Sequence, residues 1–370
     1  MSGYFLYHSI GTYANKTQQL EAAAQRYAQM WSAANDGQWD YALAQVEEFK
    51  QAWATLLGTQ KENVTFAENV TSGLYSILGA LGSKTLQGKE LLVGADCFPS
   101  LHFLLQKLAD RFGFILRTVP LSAGLAYVSD DDFIQAWNDQ VALALITWVS
   151  STTSHRVDTA RLVATAQKYN SLTVIDITQG AGVVPFQITA GMDFVLSASL
   201  KWVCGSTGAC ALYVNSERLE ECEPEYRGWF SQDNPFNWDL TQFSYAPDAR
   251  RFDHGTPSVL GAIMSLPGIK YVLEQGLETL FKHNRALTQQ LLDWAEKNNQ
   301  TVITPLACEQ RGGSIMLRLD SAQQAAHYVD RLREQAIYID ARSAIIRISP
   351  GAISSAAKLE QLCDFLNSAT

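Results

Sequence analysis

The chain has 370 residues, of which 47% are hydrophobic and 18% charged, and a formal net charge of −9. This composition is that of a globular protein, not a disordered one, and the length suits two domains. The acidic balance argues against nucleic-acid binding by bulk charge, so an anionic ligand needs local donors.

The first residues, MSGYFLYHSIGTYANKTQQL, lack a basic start followed by a long apolar run, so no signal peptide is expected. No apolar stretch approaches the ~20 residues that span a bilayer, and no membrane partner is expected. Six cysteines stand far apart with no C-x-x-C pair, and six histidines show no metal spacing. Neither a metal site nor a disulfide framework is expected, and a reducing cytoplasm fits best.

Residues from Gln18 to Leu57 read as helical, with apolar positions at mixed three and four spacing. A second helix is predicted over Ala67–Leu81, its start rich in capping residues (Glu68-Asn69-Val70-Thr71-Ser72-Gly73). Short apolar runs predict strands at Leu91–Gly94, Phe114–Val119, Val141–Val149, Leu172–Asp176, Asp193–Ser197 and Ala209–Val214. Helical stretches such as Leu101–Arg111 and Thr159–Tyr169 lie between them. Near-continuous apolar strands separated by helices imply an α/β fold with a mainly parallel sheet covered on both faces.

The rhythm changes after Pro257. A long helical region, Leu260–Asn299, precedes two strand-like segments, Ser314–Leu319 and Ile345–Ser349, with a helix near Ala325–Gln335 between them. A terminal helix covers Ala357–Leu366. The expected division is therefore a large domain over residues 18–257 and a smaller α+β domain over 258–370, with residues 1–17 packing on the smaller one.

The chemistry concentrates in Val174-Ile175-Asp176-Ile177-Thr178-Gln179-Gly180-Ala181-Gly182 and in Asp193 to Gly205, which contains Ser199-Leu200-Lys201-Trp202. Asp176 ends an apolar strand and Lys201 follows another, where open α/β sheets place their ligands. A pyridine-ring cofactor needs this pair. A lysine amine forms an imine with an aldehyde, most readily when its pKa is lowered. A carboxylate beside the ring nitrogen keeps that nitrogen protonated, so that the ring draws electrons from the substrate. Taken singly, the two residues read more readily as a surface lysine and a turn-capping aspartate; the Gln179-Gly180 turn and the Gly205/Gly208 loop reverse the balance in favour of the paired reading.

The order D-x-T-Q-G-A-G, D-F, S-x-K-W, G and G resembles the core signature of the class V aminotransferases, a family that also contains cysteine desulfurases, isopenicillin-N epimerase-like proteins and kynureninases. The resemblance runs from about Val64 to Gly351. It implies the fold of the pyridoxal-5′-phosphate (PLP) transferases of fold type I, with a seven-stranded-type sheet, and PLP held by Lys201 as an internal aldimine. By the same resemblance, Asp176 and Gln179 belong to the cofactor-binding segment. Thr71 and Ser72, at a helix N-terminus that suits phosphate, cradle the cofactor phosphate with help from Ser199. Phe98 stacks on the pyridine ring. Ser151 stands where relatives often have an Asn that reaches the ring hydroxyl. Arg347 clamps the substrate α-carboxylate. Thr256, in Gly255-Thr256-Pro257, reaches the phosphate in a partner subunit, which implies a homodimer with shared active sites. Trp229, in Gly228-Trp229-Phe230, lies near cofactor or substrate, as in kynureninases, or packs at an interface.

Two departures bear on the reaction. Leu200 precedes Lys201 where kynureninases have Tyr and desulfurases His, and Gln179 stands where kynureninases have His. Cys308, in Pro305-Leu306-Ala307-Cys308-Glu309, lacks the serine- and glycine-rich loop of a desulfurase nucleophile and reads as a buried or incidental thiol. An aminotransferase acting on an amino acid is the first expectation, and a kynureninase-like hydrolase cleaving a Cβ–Cγ bond the second. A non-catalytic PLP-binding or regulatory protein is a third. The sequence speaks against a Rossmann dehydrogenase, because Gly180-Ala181-Gly182-Val183-Val184-Pro185 ends in Pro where G-x-G-x-x-G needs Gly. It speaks equally against a P-loop at Gly82–Lys89 and against a serine hydrolase, which needs G-x-S-x-G.

Overall fold

The protein is described by a computed structural model covering Ser2–Ser368. In chain order its strands are β1 (Gly3–Tyr4), β2 (Val64–Ala67), β3 (Glu90–Gly94), β4 (Ile115–Val119), β5 (Val141–Thr147), β6 (Leu172–Asp176), β7 (Phe194–Ala198) and β8 (Cys210–Val214). Then come β9 (Thr301–Val302), β10 (Ile315–Arg318), β11 (Ile337–Tyr338), β12 (Asp340–Arg342) and β13 (Ile345–Ile348). The α-helices are α1 (Lys16–Trp31), α2 (Gln38–Leu57), α3 (Val70–Leu86), α4 (Pro99–Phe112), α5 (Asp130–Gln135), α6 (Thr159–Lys168), α7 (Val259–Gln275), α8 (Leu277–Lys297), α9 (Ala322–Glu334) and α10 (Ala356–Ser368).

The main sheet has seven strands in the order β2-β8-β7-β6-β5-β3-β4. β4, β3, β5, β6 and β7 run parallel, β8 runs opposite to them, and the edge strand β2 pairs antiparallel with β8. Of the apolar runs read as strands, β6, β7 and β8 are buried on both faces, as a sheet sandwiched between helices requires, whereas the edge strand β4 is partly exposed. One core lies on one face and includes Trp53, Ile175, Val195 and Ile263; the other holds Leu74, Leu105, Val174 and Leu196. Val174 and Ile175 face opposite ways because side chains alternate along a strand.

Three local features differ from the expectation. The helical stretch Gln18–Leu57 is two helices, because Asn35-Asp36-Gly37 form a turn in which the Asn35 side chain accepts from the Gly37 N–H at 3.0 Å. The stretch Leu260–Asn299 breaks at Gly276, whose φ of 78° is open to glycine at little cost. Val64–Ala67 is an edge strand, and the helix expected from Ala67 begins after Asn69, which caps it.

Beyond the main sheet, β12-β13-β10-β9 form a four-stranded antiparallel sheet packed on α8, α9 and α10. α7 buries Val259, Ala262, Ile263 and Leu266 in the core of the large sheet, whereas α8 buries Leu287, Leu291 and Leu292 in that of the small sheet. We place the domain division at Gly276 on this packing, beyond the 257/258 boundary suggested by sequence rhythm. The N-terminal segment joins both bodies. β1 pairs with β11 and Phe5 enters the small core, while the Gly11 N–H donates to the Leu200 carbonyl at 2.9 Å. Among the described residues, no helix is long and apolar enough to cross a membrane.

Candidate active site

A cavity of about 590 Å³ opens at the carboxyl ends of β5, β6 and β7, where Thr147, Asp176 and Ala198 line it. The N-terminal turns of α3 and α4 close another wall through Asn69, Thr71 and Phe98. Parallel strands end here in loops, and helix N-termini bring unpaired amides, so topology alone makes the spot suitable for an anionic ligand.

Lys201 and Asp176 share this cavity. Burial pushes the Lys201 ammonium down from 10.5 to about 8; Asp176 pulls it up, and Arg347 and Arg342 add repulsion. No ion pair engages Lys201 among the described residues, and its Nζ lies 5.4 Å from the centre of the Phe98 ring. Asp176 is buried, and desolvation raises its pKa against hydrogen bonds from Thr178, including the Thr178 N–H at 2.9 Å from Oδ1. Lys201 is the nearby cation that opposes the rise.

Ser151 also lines the cavity, and its Oγ is buried with no hydrogen-bond partner among the described residues. The same holds for Thr147 Oγ1, while the equally unpartnered Ser199 Oγ lies one residue before Leu200 and outside the cavity lining. Thr71 lines the cavity, but the Ser72 hydroxyl is committed to a capping box: Ser72 N–H donates to Asn69 Oδ1 at 2.9 Å, and Ser72 Oγ accepts from the Asn69 N–H at 3.2 Å. Gln179 lines the cavity with both ends of its amide engaged. Nε2 donates to the His8 carbonyl at 3.1 Å, and Oε1 accepts from Trp202 Nε1 at 3.3 Å.

Three expected residues stand elsewhere. Thr256 sits in an exposed loop beside a small cleft lined by Ala67, Glu68 and Asp253. Trp229 packs among Trp39, Phe230 and Trp238. Arg347 lies on β13 next to the cavity lining, where Nη1 donates to the Ser151 carbonyl at 3.3 Å and Nε to Asp340 Oδ1 at 2.8 Å. Cys308 is exposed, not buried, and does not line the cavity.

Sequence reasoning assigned no site role to Asn69, Thr147, Thr178, His8 or Asp340. Asn69 carried a signal as a cap before a helix, and Thr147 as a polar residue closing an apolar strand. His8 and Asp340 carried none, because their meaning lies in a contact between residues 332 positions apart.

The aminotransferase class-V family model matches residues 7–348. The chain belongs to that family. It is similar to a kynureninase of Deinococcus radiodurans, 29% identical over 279 residues that make up 73% of this chain and 65% of the relative. It is also 24% identical to the uncharacterized aminotransferase YcbU of Bacillus subtilis, over 84% of this chain and 80% of that one. Its fold is that of the apo cysteine desulfurase from Thermococcus onnurineus, with a TM-score of 0.86 at 18% identity, covering 99% of this chain and 94% of the other. A variant of C-DES solved with glycine covalently linked to its PLP cofactor superposes equally well, with a TM-score of 0.86 at 20% identity over 99% and 96% of the two chains. The fold is thus the PLP-transferase fold type I expected from sequence, and the family is PLP-dependent.

The residues present fit that cofactor. A lysine with a lowered pKa suits an aldehyde, and a buried carboxylate without an ion-pair partner gains from a cationic ring nitrogen. Buried hydroxyls without partners are poised to meet the polar groups of a ligand.

Proposed function

We propose that this class-V PLP enzyme is an aminotransferase acting on an amino acid. The observation that carries the reading is the makeup of the cavity wall: Asp176 and Lys201 are its ionisable residues among those described. Transamination needs one mobile proton carrier, and a freed lysine amine supplies it. Hydrolysis at a Cγ carbonyl must also activate a water, for which the wall offers no second base.

In this reading Lys201 holds the cofactor aldehyde. Asp176 would serve the ring nitrogen, Phe98 the ring face and Ser151 the ring hydroxyl. Thr71, Ser72 and Ser199 hold the phosphate, the first two through the α3 N-terminus. The Ser72 hydroxyl and N–H are both engaged in the capping box, so Ser72 would serve by fixing the α3 N-terminus. Gln179 acts at one remove, fixing the wall through His8 and Trp202. When bound, PLP withdraws electrons from the bonds to the substrate α-carbon. Lys201 would be the group that takes and returns the proton at the substrate α-carbon. Its lowered pKa leaves an appreciable neutral fraction near pH 7 to do so. Arg347 orients the substrate through its α-carboxylate.

The kynureninase relatives favour a second reading, Cβ–Cγ hydrolysis. We also propose a homodimer in which Thr256 and Trp229 serve the partner's site. The exposed aromatics Trp31, Trp39 and Trp238, and a helix α1 with no buried residue, support a covered face there. Absorption spectra of the PLP-loaded protein with a panel of amino acids that includes kynurenine test the chemistry. Conversion to the pyridoxamine form, reversed by a keto acid, is expected. Anthranilate release with the cofactor still in its aldehyde form refutes transamination in favour of hydrolysis.

A further inference from the structure

Arg347 is anchored by three hydrogen bonds next to the cavity. It and Asp340 are cross-strand partners in the β12–β13 pair. Its Nε donates to Asp340 Oδ1 at 2.8 Å, and its Nη2 donates to Asp340 Oδ2, a two-pronged contact along one edge of the guanidinium. Nη1 donates to the carbonyl of Ser151, whose side chain lines the cavity. A guanidinium has five N–H groups. With three committed, one N–H remains on each of Nη1 and Nη2, available to a carboxylate ligand.

Asp340 is itself in contact with His8. His8 is buried and places Nε2 3.1 Å from Asp340 Oδ2, while its Nδ1 lies 2.7 Å from Ser349 Oγ. Ser349 Oγ is in turn 2.6 Å from Ser314 Oγ. The His8 carbonyl accepts from Gln179 on the cavity wall. A chain of contacts thus runs from Ser314, just before β10, through Ser349 on one side of His8 to Asp340 and the Arg347 guanidinium. The same histidine fastens the N-terminal segment to the wall. A long arginine side chain has much rotamer freedom to lose, and this chain of contacts removes that freedom before a ligand arrives.

Building on the amino-acid reading above, we propose that Asp340, steadied by His8, is a positioning residue that holds Arg347 with its remaining N–H groups available to the substrate carboxylate. Asp340 also offsets the charge of Arg347, which otherwise repels the Lys201 ammonium. The opposite role, a carboxylate that competes with substrate for the guanidinium, makes the reverse forecast for the same variant.

The test uses the full-length PLP-loaded protein and two probe pairs, L-kynurenine with kynuramine and L-alanine with ethylamine. Each pair differs by the α-carboxylate alone. Dissociation constants come from the change in the cofactor's absorption. In the wild type, each amino acid is expected to bind more tightly than its amine. Asp340→Asn is expected to weaken the amino acids by roughly ten- to a hundredfold, the weight of a charge-assisted hydrogen bond, and to leave the amines unchanged. In turnover the loss falls on KM more than on kcat. Asp340→Glu, which keeps the charge, restores part of the preference, and His8→Gln gives an intermediate loss. PLP retention is expected to be equal in all variants, since Asp340 does not line the cavity. Tighter binding of the amino acids in Asp340→Asn, or an unchanged preference, overturns the positioning role while leaving the amino-acid reading intact. Equal binding of amino acid and amine by the wild type, or no response to any probe, refutes the carboxylate clamp itself and the proposal with it.

Discussion

Gly11→Ala probes how tightly the N-terminal segment seals the loop that carries Lys201. A Cβ at Gly11 would lie 1.8 Å from the Lys201 carbonyl oxygen and 2.8 Å from Cys204 Sγ. Ordinary contact is about 3.5 Å, so one backbone must retreat by roughly 1.5 Å. Neither is free to do so. The Gly11 N–H donates to the Leu200 carbonyl, the Gly11 carbonyl accepts from Lys16 Nζ at 2.7 Å, and the Lys201 carbonyl accepts from the Cys204 N–H at 2.8 Å. Overpacking of this kind costs about 1–3 kcal/mol, and losing the Gly11–Leu200 hydrogen bond adds about 1 kcal/mol, for a total of about 2–4 kcal/mol. Urea denaturation of the PLP-free protein measures the loss, and equilibrium titration is expected to show weaker PLP binding as the Lys201 loop shifts. Gly255→Ala is the control, because a Cβ there meets nothing within 4 Å, and its effect should stay within about 0.5 kcal/mol. A Gly11→Ala protein as stable as Gly255→Ala, with unchanged PLP affinity, refutes the seal.

Other outcomes follow from the same geometry. Lys201 has a pKa lowered from 10.5 to about 8 in the folded protein, so between those values the unfolded chain binds more protons and folding stability gains as pH rises. Urea melts of the PLP-free protein at pH 8 and pH 10 should therefore show a gain that Lys201→Met lacks, with about 3 kcal/mol between the two proteins as an upper bound. Asp176→Asn is expected to retain PLP, because the aldehyde partner is untouched, yet to lose on the order of 10²–10³-fold in kcat. Asn69→Ala removes the side chain that caps α3, costing about 1 kcal/mol in a denaturation curve and weakening PLP binding at the frayed helix end.

The large domain was legible because its central strands are buried on both faces and write themselves as apolar runs: β6 matches Leu172–Asp176 residue for residue, and β3, β4, β5, β7 and β8 agree within two positions. Helix breaks were less visible. Neither Asn35-Asp36-Gly37 nor Gly276 disturbs the apolar spacing enough to divide the flanking helices, although both carry turn chemistry. Val64–Ala67 was hidden by its brevity and by running straight into the cap of α3. In the site, Asp176, Lys201, Phe98, Ser151 and Thr71 were found at strand ends and helix starts, positions that sequence order fixes, and the cavity brings them together. What stayed hidden depends on contacts distant in sequence. The Asp340 contact to Arg347 needs the β12–β13 register, and His8 needs the N-terminal segment folded onto the small domain. Ser72 was identified by its place at the helix start, but only the capping geometry shows that its hydroxyl is already engaged.

The most direct measurement is borohydride reduction of the PLP-loaded protein, followed by digestion and mass spectrometry to locate the pyridoxyl group. A single pyridoxyl-lysine at Lys201, absent from the Lys201→Ala protein, is expected. Attachment at any other lysine, or a protein that takes up no PLP, contradicts Lys201 as the residue on which the chemistry turns.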